Sequence, residues 1–115
     1  MIVKLIMNLY KFVSVIRKRP GIYFGRSKIS SIKDIGFFIR GFLCAEESAD
    51  QNDDFDTFFK EKFGKFVREK LEVELTEFEF WFETIEKKAK DNEAAIELFY
   101  ELFDEFYDLF TKMTK

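Results

Sequence analysis

The sequence predicts an all-α protein of about five helices, packed as an orthogonal or bundle-like array in a single domain over residues 1–115. Apolar residues recur every three or four positions, which is the spacing of a buried helix face. Residues that favour helix N-caps, such as Asn8, Ser31 and Asp91, precede several of these runs. Hydrophobic residues make up 47% of the 115-residue chain, and 17 residues are Phe, which predicts a Phe-rich core that needs no disulfides.

The first predicted helix follows Asn8 and ends before Pro20, because the residue preceding a proline is driven out of the helical region. The apolar start MIVKLIM either extends this helix or precedes a true start at Met7. The apolar face of the helix consists of Leu9, Phe12, Val13 and Ile16.

A second helix is predicted after Ser31, with Asp34 near its positive N-terminal end. Gly36 and Gly41 lie inside it, where each costs about 1 kcal/mol relative to Ala, so we expect both to permit a close helix contact. The apolar stripe of this helix consists of Ile32, Ile35, Ile39, Phe42 and Leu43.

A third helix is predicted after the polar loop SADQNDD. The acids of DDFD lack the Gly and the terminal Glu of a calcium loop, so capping is the expected role of Asp53, Asp54 and Asp56. One wide face of this helix carries Phe55, Phe58, Phe59, Phe63, Phe66, Val67 and Leu71.

The stretch LEVELTEFEFWF is ambiguous, because residues 71–75 alternate with the period of a strand. Thr76 and Glu79 have the spacing of a capping box, which favours a fourth helix from about residue 77 to residue 88. The helical stripe of this segment would consist of Phe78, Trp81, Phe82 and Ile85.

The residue inventory argues against ordinary enzyme chemistry. The chain contains no His and a single Cys, Cys44, which we expect to be a small buried filler. A His general base and a zinc site therefore cannot be built, and we predict no catalytic residue, no metal and no cofactor. With no internal disulfide and no apolar run that could span a bilayer, the expected location is cytoplasmic, away from the membrane.

Charge is unevenly distributed along the chain. Residues 1–50 carry nine Lys and Arg against four Asp and Glu, whereas residues 51–115 carry ten against eighteen. An acidic second half disfavours nucleic acid as the partner, because phosphate binding needs a dominant cationic surface. It suits a basic protein.

The last predicted helix, from Asp91 through Phe110, is strongly two-sided. Its apolar side consists of Ile96, Phe99, Phe103, Phe106, Phe110 and Met113, widened by Ala95, Leu98, Leu102 and Leu109. The opposite side, here called the acidic face, consists of Glu97, Glu101, Asp104, Glu105 and Asp108.

No lysine is interleaved among the carboxylates of the acidic face, so we expect them to be uncompensated and to repel one another at i,i+4 spacing. Tyr100 and Tyr107 flank the face, either as interface anchors or as residues at the edge of the core. One interpretation is a docking surface for a cationic partner, which the two tyrosines would help to hold. The alternative is a solvated surface that serves solubility.

The segment IRKRPGIYFG is open to two interpretations. In the first it is a structural corner, in which Pro20 stops the helix and Gly21 and Gly25 allow unusual backbone angles. In the second, Arg17, Arg19 and Tyr23 belong to a binding surface, and the two roles are compatible.

RKRPGIYFG resembles the N-terminal RKRPGMYIG segment of gyrase B-type ATPases, but the later nucleotide-binding motifs of those enzymes do not follow. A longer resemblance, to small all-helical bacterial immunity-like proteins of polymorphic toxin loci, rests on Arg19, Pro20, Ile22, Tyr23 and Gly25. It continues through FIRGF, FGKFVREKL, Trp81 and AIELFYELFDEF. This resemblance implies a non-catalytic protein that binds and neutralises a cognate toxin.

If the toxin is a nuclease, the acidic face would mask the cationic surface that holds nucleic acid. The alternative function is a structural or regulatory homodimer that pairs through the apolar side of the last helix.

Overall fold

The computed structural model describes residues 8–21, 31–50, 53–74 and 79–114. Within these residues there is no strand, and the all-α prediction is confirmed. The five helices are α1 Leu9–Lys18, α2 Ile32–Ser48, α3 Asp54–Lys70, α4 Trp81–Lys88 and α5 Asn92–Met113. The predicted corner residues Tyr23 and Gly25 lie outside the described residues, as do Met7 and Thr76.

Side-chain caps begin four of the helices, as their sequences predict. The Oδ1 atom of Asn8 accepts a hydrogen bond from the Lys11 N–H at 3.0 Å, and the Asp91 Oδ1 accepts from the Ala94 N–H at 2.8 Å. Ser31 caps α2 and Asp53 caps α3 in the same way. Each cap satisfies one of the backbone donors that the first turn of a helix leaves free.

Phenylalanine rings join the helices. Phe63 of α3 stacks on Phe59 with ring centroids 4.4 Å apart. It meets Phe106 of α5 edge to face at 5.1 Å and Trp81 of α4 at 5.1 Å. Trp81 in turn stacks on Phe99 of α5 at 5.2 Å. The predicted apolar faces of α1, α3 and α5 therefore converge on one buried aromatic cluster.

Helix α4 begins four residues later than the sequence predicts. Phe80 occupies the N-cap position, and the carboxylate of Glu83 accepts a hydrogen bond from the Phe80 N–H at 2.9 Å. Glu79 lies before the helix, where it accepts a hydrogen bond from the Thr84 hydroxyl at 2.8 Å and pairs with Lys87. Glu79 therefore lies before the first turn of α4, and Thr76, its predicted partner in a capping box, lies outside the described residues.

The alternation from residue 71 reflects the end of α3 and not a strand. Glu72 has a φ of 55°, in the left-handed region, and the Val73 N–H donates to the Arg68 carbonyl at 3.0 Å. This hydrogen bond closes the last turn of the helix in the manner of a Schellman motif, with Glu where Gly is usual.

The two glycines of α2 have different surroundings. Gly36 is buried, and the ring of Phe82 occupies the space that a Cβ would take, so the predicted close contact is present between α2 and α4. Gly41 is exposed, and outside its own helix backbone and its chain neighbours no atom of the described residues lies within 4 Å of the position that a Cβ would take there. Among the described residues, the predicted close contact is therefore absent at Gly41.

No helix among the described residues has the length and apolarity needed to cross a membrane.

The two glycines form a matched pair for measurement. We expect Gly41→Ala to raise the free energy of unfolding by up to about 1 kcal/mol, because Ala favours the helix and meets open space. Gly36→Ala should lower it by about 1–3 kcal/mol, because the fully packed Phe82 ring must move. Urea unfolding of both variants measures these changes in the free energy of unfolding. Equal effects of the two substitutions would contradict the close contact between Gly36 and Phe82.

The acidic face of the last helix as a candidate interface

The apolar side of α5 is largely buried inside the molecule. Phe99, Phe103 and Phe106 are buried, and with them Ala95 and Leu102. All five carboxylates of the acidic face are exposed on the other side of the helix. The division predicted from the helical periodicity is confirmed, and it leaves the carboxylates accessible to a partner.

Two of the five carboxylates are compensated by cations from other helices. The guanidinium of Arg17 in α1 pairs with Asp104 at 3.0 Å, and the ammonium group of Lys70 in α3 pairs with Glu105 at 3.0 Å. The expectation that all five acids are uncompensated is therefore wrong for Asp104 and Glu105. Because each ion pair is about half exposed, it contributes at most about 1 kcal/mol.

The tyrosines that flank the acidic face pack against α1. The guanidinium of Arg17 lies over the Tyr100 ring at 4.7 Å from its centroid. Tyr107 stacks on Tyr10 with ring centroids 3.8 Å apart and meets Phe55 edge to face. Burial raises the pKa of Tyr100, an effect that the charge of Arg17 partly offsets. Both tyrosines thus lie at the edge of the core, and each keeps a partly exposed surface.

The remaining carboxylates, Glu97, Glu101 and Asp108, form no ion pair with any described residue. Their spacing of four and seven residues places them along one line of the helix, over about 16 Å. These three carboxylates are therefore available on α5 to bind a cation from outside the chain. Asp104 and Glu105, on either side of this line, are held by their ion pairs with Arg17 and Lys70.

A second group of carboxyls lies away from this face and is buried. Asp56 in the first turn of α3 is 1% exposed, and Glu46 near the end of α2 is 7% exposed. Asp56 Oδ1 accepts a hydrogen bond from the Leu9 N–H of α1 at 2.9 Å. Capping is predicted for Asp53, Asp54 and Asp56: Asp53 caps α3, Asp56 instead satisfies the N-terminus of α1, and Asp54 is exposed in the first turn of α3.

The other oxygen of Asp56 has no hydrogen-bond partner among the described residues, and the buried carboxyl of Glu46 is its neighbour. Burial, reinforced by Glu46, raises the pKa of Asp56 from 3.8 to about 8. The hydrogen bond from Leu9 lowers it in part. Asp56 therefore keeps its proton at neutral pH, in the first turn of α3 beside the start of α1.

This proton makes stability depend on pH. Above pH 3.8 the unfolded chain has lost the proton that the folded chain keeps up to about pH 8, so stability falls across this window. The slope for one retained proton is about 1.4 kcal/mol per pH unit at most. We expect Asp56→Asn to flatten the dependence, because its amide donates to Glu46 while its oxygen still accepts from Leu9.

Thermal unfolding between pH 5 and pH 8 provides the measurement. Asp54→Asn, an exposed substitution in the same turn, is the control and should keep the parental slope. An Asp56→Asn variant whose melting temperature follows the parental slope would show that Asp56 does not keep this proton.

Other candidate chemistry is sparse in the described part of the chain. No group of three or more Cys, Asp or Glu side chains there could hold a metal ion. Cys44 is exposed, so its predicted role as a buried filler is wrong. It lies on the solvent side of α2, near the exposed Gly41.

No family model matches the chain, and no curated protein or solved structure matches it either. The resemblance to immunity-like proteins therefore stays a prediction.

Proposed function

We propose that the chain is a non-catalytic binding protein that docks a cationic protein on the acidic face of α5. The observation that carries this proposal is the exposed line of Glu97, Glu101 and Asp108, which no cation of the described residues neutralises. Like charges at helical spacing weaken the helix that carries them. A partner's Lys and Arg side chains would relieve that repulsion on binding.

Support also comes from the way in which the face is held. Arg17 and Lys70 fix two carboxylates at its flanks, and the rings of Tyr100 and Tyr107 pack on α1 and α3. A preorganised face loses little side-chain freedom when a partner binds. The partly exposed tyrosines are the aromatic anchors that such a face needs beside its charges.

The biological role that we propose is neutralisation of a cognate bacterial toxin in the cytoplasm, in which the acidic face covers the toxin's cationic active surface. The resemblance of the segments around Pro20, Trp81 and α5 to immunity-like proteins supports this role. A nuclease toxin fits best, because its active surface must be cationic to hold nucleic acid. The mechanism is blockade and requires no catalytic residue.

The structure selects the substitutions that test this proposal. Glu97→Lys combined with Glu101→Lys reverses two carboxylates that have no ion-pair partner among the described residues, so the melting temperature should stay near the parental value. Association with the product of a neighbouring toxin gene should slow by about tenfold or more at low salt, because attraction between opposite charges speeds encounter. The difference should shrink at physiological salt, where the Debye length is about 8 Å.

A matched control is Glu61→Lys combined with Glu72→Lys, which makes the same change in net charge at two exposed carboxylates outside α5 and should slow association far less. Stopped-flow rates at several salt concentrations, together with protection of cells that produce the toxin, give the readout. Parental rates and full protection with the Glu97 and Glu101 variant would refute docking on the acidic face.

A further inference from the structure

The end of α2 is held in the fold by one buried side chain. Glu46 is 7% exposed, whereas every other residue from position 44 to position 50 is exposed. The apolar stripe of α2 ends at Leu43, so no apolar side chain of this last turn packs against the core. The surroundings of Glu46 therefore decide whether residues 46–50, here called the latch, stay folded.

The latch has little stability of its own. Glu46 and Glu47 lie at the C-terminal end of α2, where the helix dipole favours cations, and the last turn contains no Lys or Arg. Asp50 follows the C-cap residue Ala49 with a φ of 56°, a left-handed conformation that residues with a Cβ adopt at a cost in free energy.

The neighbour of Glu46 on α3 is the buried carboxyl of Asp56. One oxygen of Asp56 accepts a hydrogen bond from the Leu9 N–H, and the other has no hydrogen-bond partner among the described residues. A buried carboxylate with an unpartnered oxygen carries the full cost of leaving water. The pair therefore tolerates a negative charge on Asp56 poorly.

The other groups around this pair do not offset such a charge. Asp53, which caps α3, adds a further carboxylate, and its second oxygen accepts a hydrogen bond from the side-chain amide of Asn8 in front of α1. The ammonium group of Lys60 pairs with the exposed Glu47 at 3.4 Å. No Lys or Arg in the described part of the chain forms an ion pair with Glu46, Asp53 or Asp56.

We propose that the latch is a pH-sensitive switch, which stays folded while Asp56 is protonated and unwinds when Asp56 ionises. With the proton in place, the buried pair carries at most one negative charge. After ionisation two carboxylates lie side by side away from water, and they repel each other without a cation to compensate them. Movement of one of them into water relieves both costs.

The distribution of buried side chains determines which helix moves. Displacing α1 would expose its four buried apolar residues and break the hydrogen bond from Leu9, which an ionised Asp56 accepts more strongly. Unwinding the latch exposes only Glu46 and breaks the ion pair of Glu47 with Lys60, which lies at the surface and contributes little. We therefore expect the start of α1 to stay in place while the end of α2 opens.

The direction of the pH dependence follows from linkage. In the open form Asp56 is hydrated and has its ordinary pKa of 3.8, whereas burial and the neighbouring Glu46 raise the pKa to about 8 in the closed form. The ratio of open to closed molecules therefore increases between these two values, by at most about tenfold per pH unit for one proton, and levels off above about pH 8. This switch does not use the acidic face of α5 and is independent of the proposed function.

Hydrogen exchange of the full chain, followed by NMR, tests the switch. The Ala49 and Asp50 N–H groups donate to the carbonyls of Ala45 and Glu47, so their exchange reports opening of the latch. Their protection factors should fall by up to about tenfold per pH unit between pH 5 and pH 8. Because the opening is local, low concentrations of urea should leave these values unchanged while lowering the protection of core amides such as that of Phe63.

Substitutions in the same region separate the switch from an ordinary frayed helix end. Asp56→Asn removes the titrating group and should remove most of the pH dependence at Ala49 and Asp50. Glu46→Gln should narrow the pH range of the dependence, because the carboxylate that helps to raise the pKa of Asp56 is gone. Glu47→Gln is the matched control: it breaks only the exposed ion pair, so protection should fall to a similar extent at every pH. Circular dichroism confirms that each variant is folded.

Protection factors that stay constant between pH 5 and pH 8 overturn the proposal, as does a parental pH dependence in Asp56→Asn. Latch amides that exchange together with core amides at every urea concentration contradict it as well, because pH would then act only on global unfolding. None of these results bears on binding of a cationic partner to Glu97 and Glu101, so the proposed function is tested separately.

Discussion

The structure depends on the packing of phenylalanine rings around Phe63. This ring contacts α4 through Trp81 and α5 through Phe106, so the positions of three helices are set by one side chain. Rings packed edge to face and stacked have preferred separations and angles, which gives an apolar core directional constraints that aliphatic side chains lack. Ring packing also explains why residue 36 is a glycine, because the Phe82 ring occupies the space that a Cβ at this position would take.

Helix α1 is attached by a different kind of contact at each end. At its start, the Leu9 N–H donates to the buried carboxyl of Asp56, which belongs to α3. At its end, Arg17 lies over Tyr100 and pairs with Asp104 on α5. The first contact is buried, and the second is half exposed. A change in pH therefore acts on the start of α1, whereas a change in salt acts on its end.

Local features of the fold could be predicted from the sequence, because caps and apolar stripes depend on residues three or four positions apart. Contacts between distant residues could not. Arg17 and Asp104 are separated by 87 positions, so no helical spacing could show that the acidic face is partly compensated. The buried carboxyls could have been found in the sequence. Glu46 continues the stripe of Ile32, Ile35, Ile39 and Phe42 at the same spacing, and an acid at a core position indicates a group that needs a polar neighbour.

In the folded structure, a cation from the basic first half of the chain pairs with an acid from the acidic second half. The basic first half does not form a separate surface at Arg17, because that side chain is used to hold the flank of the acidic face. What remains available on α5 divides into two ends: Glu97 and Glu101 toward its start, and Asp108 toward its end. A cationic partner that engages both ends must extend across the ion pair of Arg17 and Asp104, which lies between Glu101 and Asp108 along the helix.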